Sequence, residues 1–81
     1  MTEAERKALV LIGDAHAVIA NPMTVASLGA ISLPEARDAL DALKKAGLID
    51  WQPATRGARG TVLVDATWTL TAEGREALAE G

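Results

Sequence analysis

The chain has 81 residues and a formal net charge of −3 at pH 7, which suits one small domain with a modest core. It contains no cysteine, so disulfides, thiolate nucleophiles and cysteine metal sites are excluded. The longest apolar run, residues 8–12, is too short to cross a bilayer. We therefore expect a soluble, cytoplasmic protein with no membrane contact.

The first third of the chain predicts two helices separated by a short strand. Thr2 and Glu5 form a capping box that begins a helix running to about residue 16 or 17. Gly13 inside it predicts close packing or a bend. Two of the three residues at positions 18–20 are β-branched, which favours a short first strand. Asn21 then serves as N-cap for a short second helix that ends near residue 28 or 29.

The third helix has the clearest signals. Ser32 and Glu35 form a second capping box, and Gly47 ends the helix. Lys44 and Lys45 lie in the last turn, where the helix dipole favours cations. Apolar residues at helical spacing predict one buried face: Ala36, Ala39, Leu40 and Leu43.

A β-hairpin is predicted directly after this helix. The even positions from 62 to 70 are apolar, which indicates a half-buried strand. Pairing Trp51 with Trp68 puts both rings on the inner face and puts Arg59 and Gly60 at the tip. With their rings on this inner face, the two tryptophans belong to the core of the hairpin. Base stacking is the alternative role, and it would need the rings to face outward.

The final element is a short helix capped by Thr71 and running to about residue 80. The predicted fold is α+β and mainly helical: a three-helix core, a two- to three-stranded wing and a short C-terminal helix. This is winged helix-turn-helix topology. The expected organisation is a single domain over 1–81, with the helix-turn-helix at about 21–46 and the wing at about 48–70.

Over about residues 20–79 the chain resembles MarR-like and PadR-like bacterial winged-helix regulators. Ile31-Ser32 corresponds to the family's entry into the recognition helix, and Gly47-Leu48-Ile49 to its exit. The segment 68–78 is similar to the family's aromatic-x-Leu-Thr-x-x-Gly segment. The resemblance implies a small transcriptional regulator that binds double-stranded DNA through a recognition helix (about 33–46) and a cationic wing tip.

The DNA-binding residues that the resemblance implies are Ser32, Arg37, Lys44, Arg56, Gly57 and Arg59. Arg37 is suited to a bidentate contact with guanine, although an i,i+4 ion pair with Asp41 is equally open. The two arginines at the wing tip are suited to contacts with phosphate or with the minor groove. The alternative is that they only keep an exposed hairpin tip soluble. For Lys44 and Lys45, a favourable interaction with the helix dipole alone is the alternative role.

A second hypothesis is a winged-helix module that binds a protein. DNA-binding surfaces are usually basic, whereas this chain is acidic and its recognition helix carries carboxylates. A protein partner would contact Leu33, Pro34, Asp38 and Asp41, although Leu33 and Pro34 also suit a simple helix-entry staple. A homodimer through the first helix, around Leu9 and Val10, is a further expectation.

Enzymatic chemistry is not expected. Ser27 and Ser32 have no histidine partner in the sequence pattern, and no glycine-rich phosphate loop follows a strand. The single histidine, His16, has no accompanying ligand set. We predict no catalytic residue, no cofactor and no metal.

Overall fold

The computed structural model of the chain describes residues 1–14 and 19–80. Four helices and four short strands follow in the order α1 (Glu3–Gly13), α2 (Pro22–Gly29), α3 (Leu33–Lys45), β1 (Ile49–Gln52), β2 (Thr55–Arg56), β3 (Val62–Val64), β4 (Thr67–Leu70) and α4 (Ala72–Glu80). The arrangement is the predicted winged helix-turn-helix, mainly helical with a small antiparallel sheet. No helix in these two ranges is long and apolar enough to cross a membrane.

Local sequence signals begin the first three helices. The side chains of Thr2, Asn21 and Ser32 each accept a hydrogen bond from the backbone N–H three residues later, at 3.1, 3.1 and 3.2 Å. All three predicted N-caps are confirmed. Helix α2 ends on Ala30 in the left-handed conformation (φ 54°), and the chain leaves α3 through Gly47 at φ 75°.

Helix α1 ends earlier than predicted. Asp14 is extended (φ −74°, ψ 117°), and its N–H donates to the carbonyl of Leu11, which tightens the last turn and stops the helix at Gly13. The predicted continuation through Ala15 and His16 falls outside the described residues. A β-carbon on Gly13 would lie 2.9 Å from the Leu78 side chain, so the close packing expected at this glycine is confirmed.

The predicted first strand is wrong for the two of its residues that the structure describes. Ile19 and Ala20 are not in a strand, and Val18 falls outside the described residues. Ile19 is nevertheless tied to β4, because its carbonyl accepts from Trp68 N–H at 2.8 Å and its N–H donates to Thr67 Oγ1 at 3.0 Å. The segment is fixed by these bonds without extending the ladder.

The core lies between the first three helices and the start of β1. Its buried members in the described ranges are Ala8, Leu9, Ile12, Ile19, Val25, Ala36, Ala39, Leu40, Leu43 and Ile49. Leu9 is only 1% exposed, whereas Val10 is 49% exposed. The expectation that Leu9 lies on a dimer surface is therefore wrong, because its side chain is already used by the core.

The wing consists of two consecutive antiparallel ladders, β1 with β4 and β2 with β3. Trp51 pairs with Trp68 in the first ladder, which confirms the predicted register. A single 3-10 turn, Ala58–Gly60, forms the tip. Arg59 and Gly60 both have positive φ there, 61° and 74°, which gives the sharp reversal that the sequence predicted at this point.

The wing is much more exposed than its alternating pattern predicts. Val62 and Val64 are 44% and 54% exposed, and Trp51 is 40% exposed. The expected inner face is wrong for these three residues. A two-stranded ribbon has two faces, and in the described part of the chain the helices cover only its root, where Ile49 is buried.

Helix α4 fixes the root of the wing to the end of α3. Thr71 Oγ1 donates to the carbonyl of Gly47 at 2.6 Å and accepts from Gly74 N–H at 3.0 Å, while Thr71 N–H donates to the carbonyl of Leu48 at 3.1 Å. Thr71 therefore caps α4, as predicted, and also joins it to the α3–β1 turn. The direction in which the wing leaves α3 is set by this contact.

Candidate nucleic-acid interface

Arg37 is the cation that α3 presents most freely. Its side chain is exposed, and within the described ranges no carboxylate lies within 4.0 Å of its guanidinium. The alternative ion pair with Asp41 is not formed, because Asp41 Oδ2 lies 3.0 Å from Lys45 Nζ. Lys45 is one turn further along the same face, so it satisfies Asp41 and leaves Arg37 available to an external partner.

Lys44 connects α3 to the first strand of the wing. Its Nζ donates to Asp50 Oδ1 at 2.9 Å and lies 5.9 Å from the centre of the Trp68 ring. The Lys44 hydrogen bond, followed by the Trp51 N–H that also donates to this carboxylate, lowers the pKa of Asp50 below its ordinary value of 3.8. The sequence pattern indicated a helix-dipole partner. The side chain also has a specific ion pair, which reduces its free charge.

Ser32 is occupied by its capping role. Its hydroxyl accepts from Glu35 N–H and donates to Glu35 Oε1 at 2.9 Å. Pro34 and Asp38 beyond it are exposed, whereas Leu33 is half-buried. The entry of α3 therefore presents carboxylates and one proline ring to solvent, while the exposed serine hydroxyl is engaged by Glu35 of its own helix.

The predicted wing-tip residues lie close together. Arg56 and Arg59 are both exposed, and Arg56 Nη1 donates to the carbonyl of Gly60 at 3.3 Å. A β-carbon on Gly57 would lie 3.2 Å from the Leu63 side chain, so glycine lets the leucine pack against the backbone here. The tip thus presents two guanidinium groups on a narrow turn.

A shallow groove runs between α3 and the first ladder of the wing. Sequence reasoning missed the exposed Trp51 in it, whose ring meets Trp68 edge-on with centroids 5.3 Å apart and planes at 71°. Strand alternation placed this ring inward, and no local signal indicates otherwise. The residues lining the groove are Ala20, Pro22, Arg37, Leu40, Asp41, Lys44, Trp51 and Trp68.

The described residues include no group of three or more His, Cys, Asp or Glu side chains that could hold a metal ion. His16, for which no ligand set was expected, falls outside them. The candidate interface itself consists of guanidinium groups, an indole ring and carboxylates. Its chemistry is suited to binding.

Several solved structures are similar to this chain over 99% of its length, although no protein-family model and no curated protein sequence matches it. Wild-type ZitR of Lactococcus lactis in complex with DNA has a TM-score of 0.69 at 25% identity. FabT of Streptococcus pneumoniae in complex with DNA has a TM-score of 0.66 at 21% identity. The chain spans about half the length of these two, 49% and 51%.

A third similar structure has nearly the same length. A protein from Ralstonia eutropha, described as a putative DNA-binding protein, has a TM-score of 0.62 at 21% identity, and the match covers 95% of that chain. ZitR is described as a zinc-responsive member of the MarR family. The chain therefore has the winged helix-turn-helix fold, and it resembles the winged-helix domains of MarR-family regulators.

Proposed function

We propose that this chain is a small DNA-binding transcriptional regulator, in which α3 enters the major groove and the wing tip reaches the adjacent minor groove. In this proposal residues 1–81 act as one domain, with the helix-turn-helix at about 21–46 and the wing at about 48–70. One observation carries it. In the ranges the structure describes, Arg37 on α3 and Arg59 at the wing tip are exposed and have no carboxylate within 4.0 Å.

The similar structures support the same role. ZitR and FabT, with which this chain shares its fold, are both described in complexes with DNA. Winged-helix proteins read DNA with the exposed face of the second helix of the helix-turn-helix. In this chain that helix is α3, and Arg37 is its unpaired cation.

Each predicted site residue has a distinct proposed role. Arg37 makes a bidentate contact with guanine O6 and N7. Arg56 and Arg59 bind phosphate or enter the minor groove, where the negative potential is strongest when the groove is narrow. Gly57 lets the backbone of the tip approach closely. Lys44 contributes a positive charge that Asp50 partly offsets.

Ser32 supports the interface indirectly in this proposal. Its capping bonds fix the first turn of α3 and hence the direction from which Arg37 approaches a base. The carboxylates on α3 oppose binding, because they face phosphates. Lys45 offsets Asp41, whereas Glu35 and Asp38 remain exposed on α3, so we expect modest, strongly salt-dependent affinity.

The test is an amide-resolved NMR titration with a random-sequence DNA duplex at low salt, together with fluorescence anisotropy across a range of salt concentrations. Shifts should concentrate near Arg37 and at residues 56–60. Arg59→Gln should weaken binding and reduce the salt slope by about 0.9, the value for one lost phosphate contact. Arg75→Gln on α4 removes the same charge outside the proposed interface and is the matched control.

One result would count against DNA binding, and a second would count against the wing contact. One is an absence of salt-sensitive shifts at low salt, where even non-specific binding is detectable. The other is equal loss of affinity in Arg59→Gln and Arg75→Gln, which would indicate a general charge effect with no wing contact.

A protein-binding module is the second candidate, because Pro34 and Asp38 are exposed at the entry of α3. Its proposed surface consists of Leu33, Pro34, Asp38 and Asp41. The substitution Asp38→Lys separates the two candidates, since it should raise the affinity for DNA but lower the affinity for a basic protein partner. A duplex affinity that falls on Asp38→Lys would contradict the proposed geometry of α3.

A homodimer is also proposed, through a surface on α1 that now excludes Leu9. Val10 is exposed beside Leu28 of α2, which is 59% exposed. Analytical ultracentrifugation of the wild type and of Val10→Asp tests this surface. If both proteins sediment as monomers at high concentration, the proposed dimer surface is wrong.

A further inference from the structure

We infer that Trp51 packs its indole ring against the DNA strand that separates the major groove from the minor groove. This inference rests on the proposed function and adds to it an uncharged residue that is not among the predicted DNA-binding residues, in a contact other than base stacking. Trp51 as a residue is 40% exposed, a large fraction for the largest kind of side chain in a small domain, where aromatic rings usually supply core volume.

The position of Trp51 along the chain carries the first step. It lies in β1, which begins four residues after α3 ends and leads toward the wing tip. If α3 occupies the major groove and the tip occupies the neighbouring minor groove, one sugar-phosphate strand must pass between them. The surface between α3 and the tip is the β1 part of the wing, and Trp51 is its exposed aromatic side chain.

The surroundings of the ring carry the second step. Trp51 lines the same groove as Arg37. The two other charged side chains of the groove are paired, Asp41 with Lys45 and Lys44 with Asp50. Among the described residues, the apolar surface therefore lies beside the unpaired guanidinium of Arg37. Deoxyribose offers an apolar face and phosphate offers acceptor oxygens, which fits this combination. The indole ring can cover the sugar while its N–H donates to a phosphate oxygen.

The contact with Trp68 carries the third step. The ring of Trp68 meets the ring of Trp51 edge-on, with their centroids 5.3 Å apart. The backbone N–H of Trp68 donates a hydrogen bond to the carbonyl of Ile19 at 2.8 Å, which ties this part of β4 to the domain. The neighbour holds Trp51 in one orientation before DNA arrives. A ring fixed in advance loses little side-chain freedom on binding, which favours a contact of this kind.

The inference predicts a specific pattern of binding. Because indole is neutral, truncating Trp51 should weaken affinity for every duplex alike and leave the salt slope unchanged. Trp51→Ala should bind random duplex about five- to tenfold more weakly, near the lower end of measured aromatic–nucleotide contacts. Met23→Ala, which truncates a 68% exposed apolar side chain outside the groove, is the matched control and should bind as the wild type does.

A direct measurement uses the unmodified protein. The chain has two tryptophans, so its NMR spectrum has two indole N–H signals, and Trp51→Phe identifies one by its loss. On titration with duplex DNA, the Trp51 signal should shift at the same DNA concentration as the Arg59 amide. Trp51→Leu keeps apolar bulk at this position. It tests whether any loss of DNA affinity in Trp51→Ala is caused by impaired folding.

The outcomes separate this inference from the proposed function. If the Arg59 amide shifts but the Trp51 indole does not, the protein binds DNA and the inference is wrong. If neither signal shifts at low salt, the proposed function itself fails. If Trp51→Ala binds as tightly as the wild type, or changes the salt slope as Arg59→Gln does, the neutral packing contact is likewise overturned.

Discussion

Gly74 in α4 lies directly against the carbonyl oxygen of Leu48, with no room for a side chain between them. A β-carbon on Gly74 would overlap this oxygen. The contact belongs to the junction in which Thr71 bonds to Gly47 and Leu48. The glycine therefore lets α4 hold the turn from which the wing departs.

Gly74→Ala should destabilise the domain by about 2 kcal/mol or more, because the overlap is with backbone, which yields less easily than a flexible side chain. Urea unfolding followed by tryptophan fluorescence measures the change. Gly29→Ala is the matched control. A β-carbon there finds its nearest atoms at 3.7–3.8 Å, so alanine should be neutral or stabilising by up to about 1 kcal/mol. Equal stability of the two variants would contradict the tight junction.

Ala30→Gly should stabilise the domain by about 1 kcal/mol. Ala30 ends α2 in the left-handed conformation, φ 54° and ψ 44°, which costs a residue with a β-carbon about 1–2 kcal/mol and glycine little. Thermal unfolding by circular dichroism measures the gain. Ala46→Gly tests the explanation, because Ala46 ends α3 with φ −76° and ψ −6°, where glycine should give no gain. Stabilisation of both variants alike would disprove the conformational explanation.

Asp50 should make stability depend on pH at the acid end. Its pKa in the folded protein is lowered below 3.8, mainly by the hydrogen bond from Lys44. A lowered folded pKa stabilises the native state above the unfolded value, and that contribution is lost as pH falls through the folded pKa. The stabilisation is thus complete above pH 3.8 and disappears below it. Asp50→Asn should flatten this part of the profile.

The titration of Asp50 itself can be followed by NMR of its carboxyl carbon. Lys44→Met should return its pKa toward the ordinary value, because it removes both the hydrogen bond and the positive charge. Asp65→Asn, which removes an exposed carboxylate of the wing, is the control for the stability profile. An unchanged Asp50 midpoint in Lys44→Met would show that the ion pair does not persist in solution.

Leucines of the core and of the wing should differ sharply in their contribution to stability. Leu43 is 1% exposed and Leu63 is 65% exposed. Leu43→Ala should cost about 2–5 kcal/mol through lost burial and a residual cavity. Leu63→Ala should change the free energy of unfolding by no more than about 0.5 kcal/mol. Chemical denaturation of both variants tests this, and a large loss in Leu63→Ala would mean that the wing is covered in solution.

Features fixed by neighbouring residues were predictable from the sequence. Ser32 and Asn21 cap helices because an oxygen on a short side chain reaches an N–H three residues on, whatever the rest of the chain does. The pairing of Trp51 with Trp68 followed from the alternating pattern and the position of the turn. These signals were enough for the order of the helices and for the hairpin after α3, and hence for the fold, although the strand predicted at residues 18–20 was wrong where the structure describes it.

Features that depend on what covers a surface were not predictable in the same way. The alternation of apolar residues says that Val62 and Val64 share a face, but only the packing shows that this face is open. The choice of Asp50 as partner for Lys44 depends on how the fold places β1 beside α3. Asp41 has Arg37 and Lys45 each four residues away on the same helix, and only the structure shows that it pairs with Lys45. The exposure of Trp51, on which the further inference depends, has the same origin.

The edge-on contact of the two tryptophans also gives the protein an optical signature. The chain has no tyrosine and no phenylalanine, so its near-ultraviolet absorption arises from these two rings. At a centroid distance of 5.3 Å their electronic transitions couple, and the coupling depends on their mutual angle. An exciton band in circular dichroism would then monitor the β1–β4 ladder alone, and any event that turns Trp51 away from Trp68 would change its sign or amplitude.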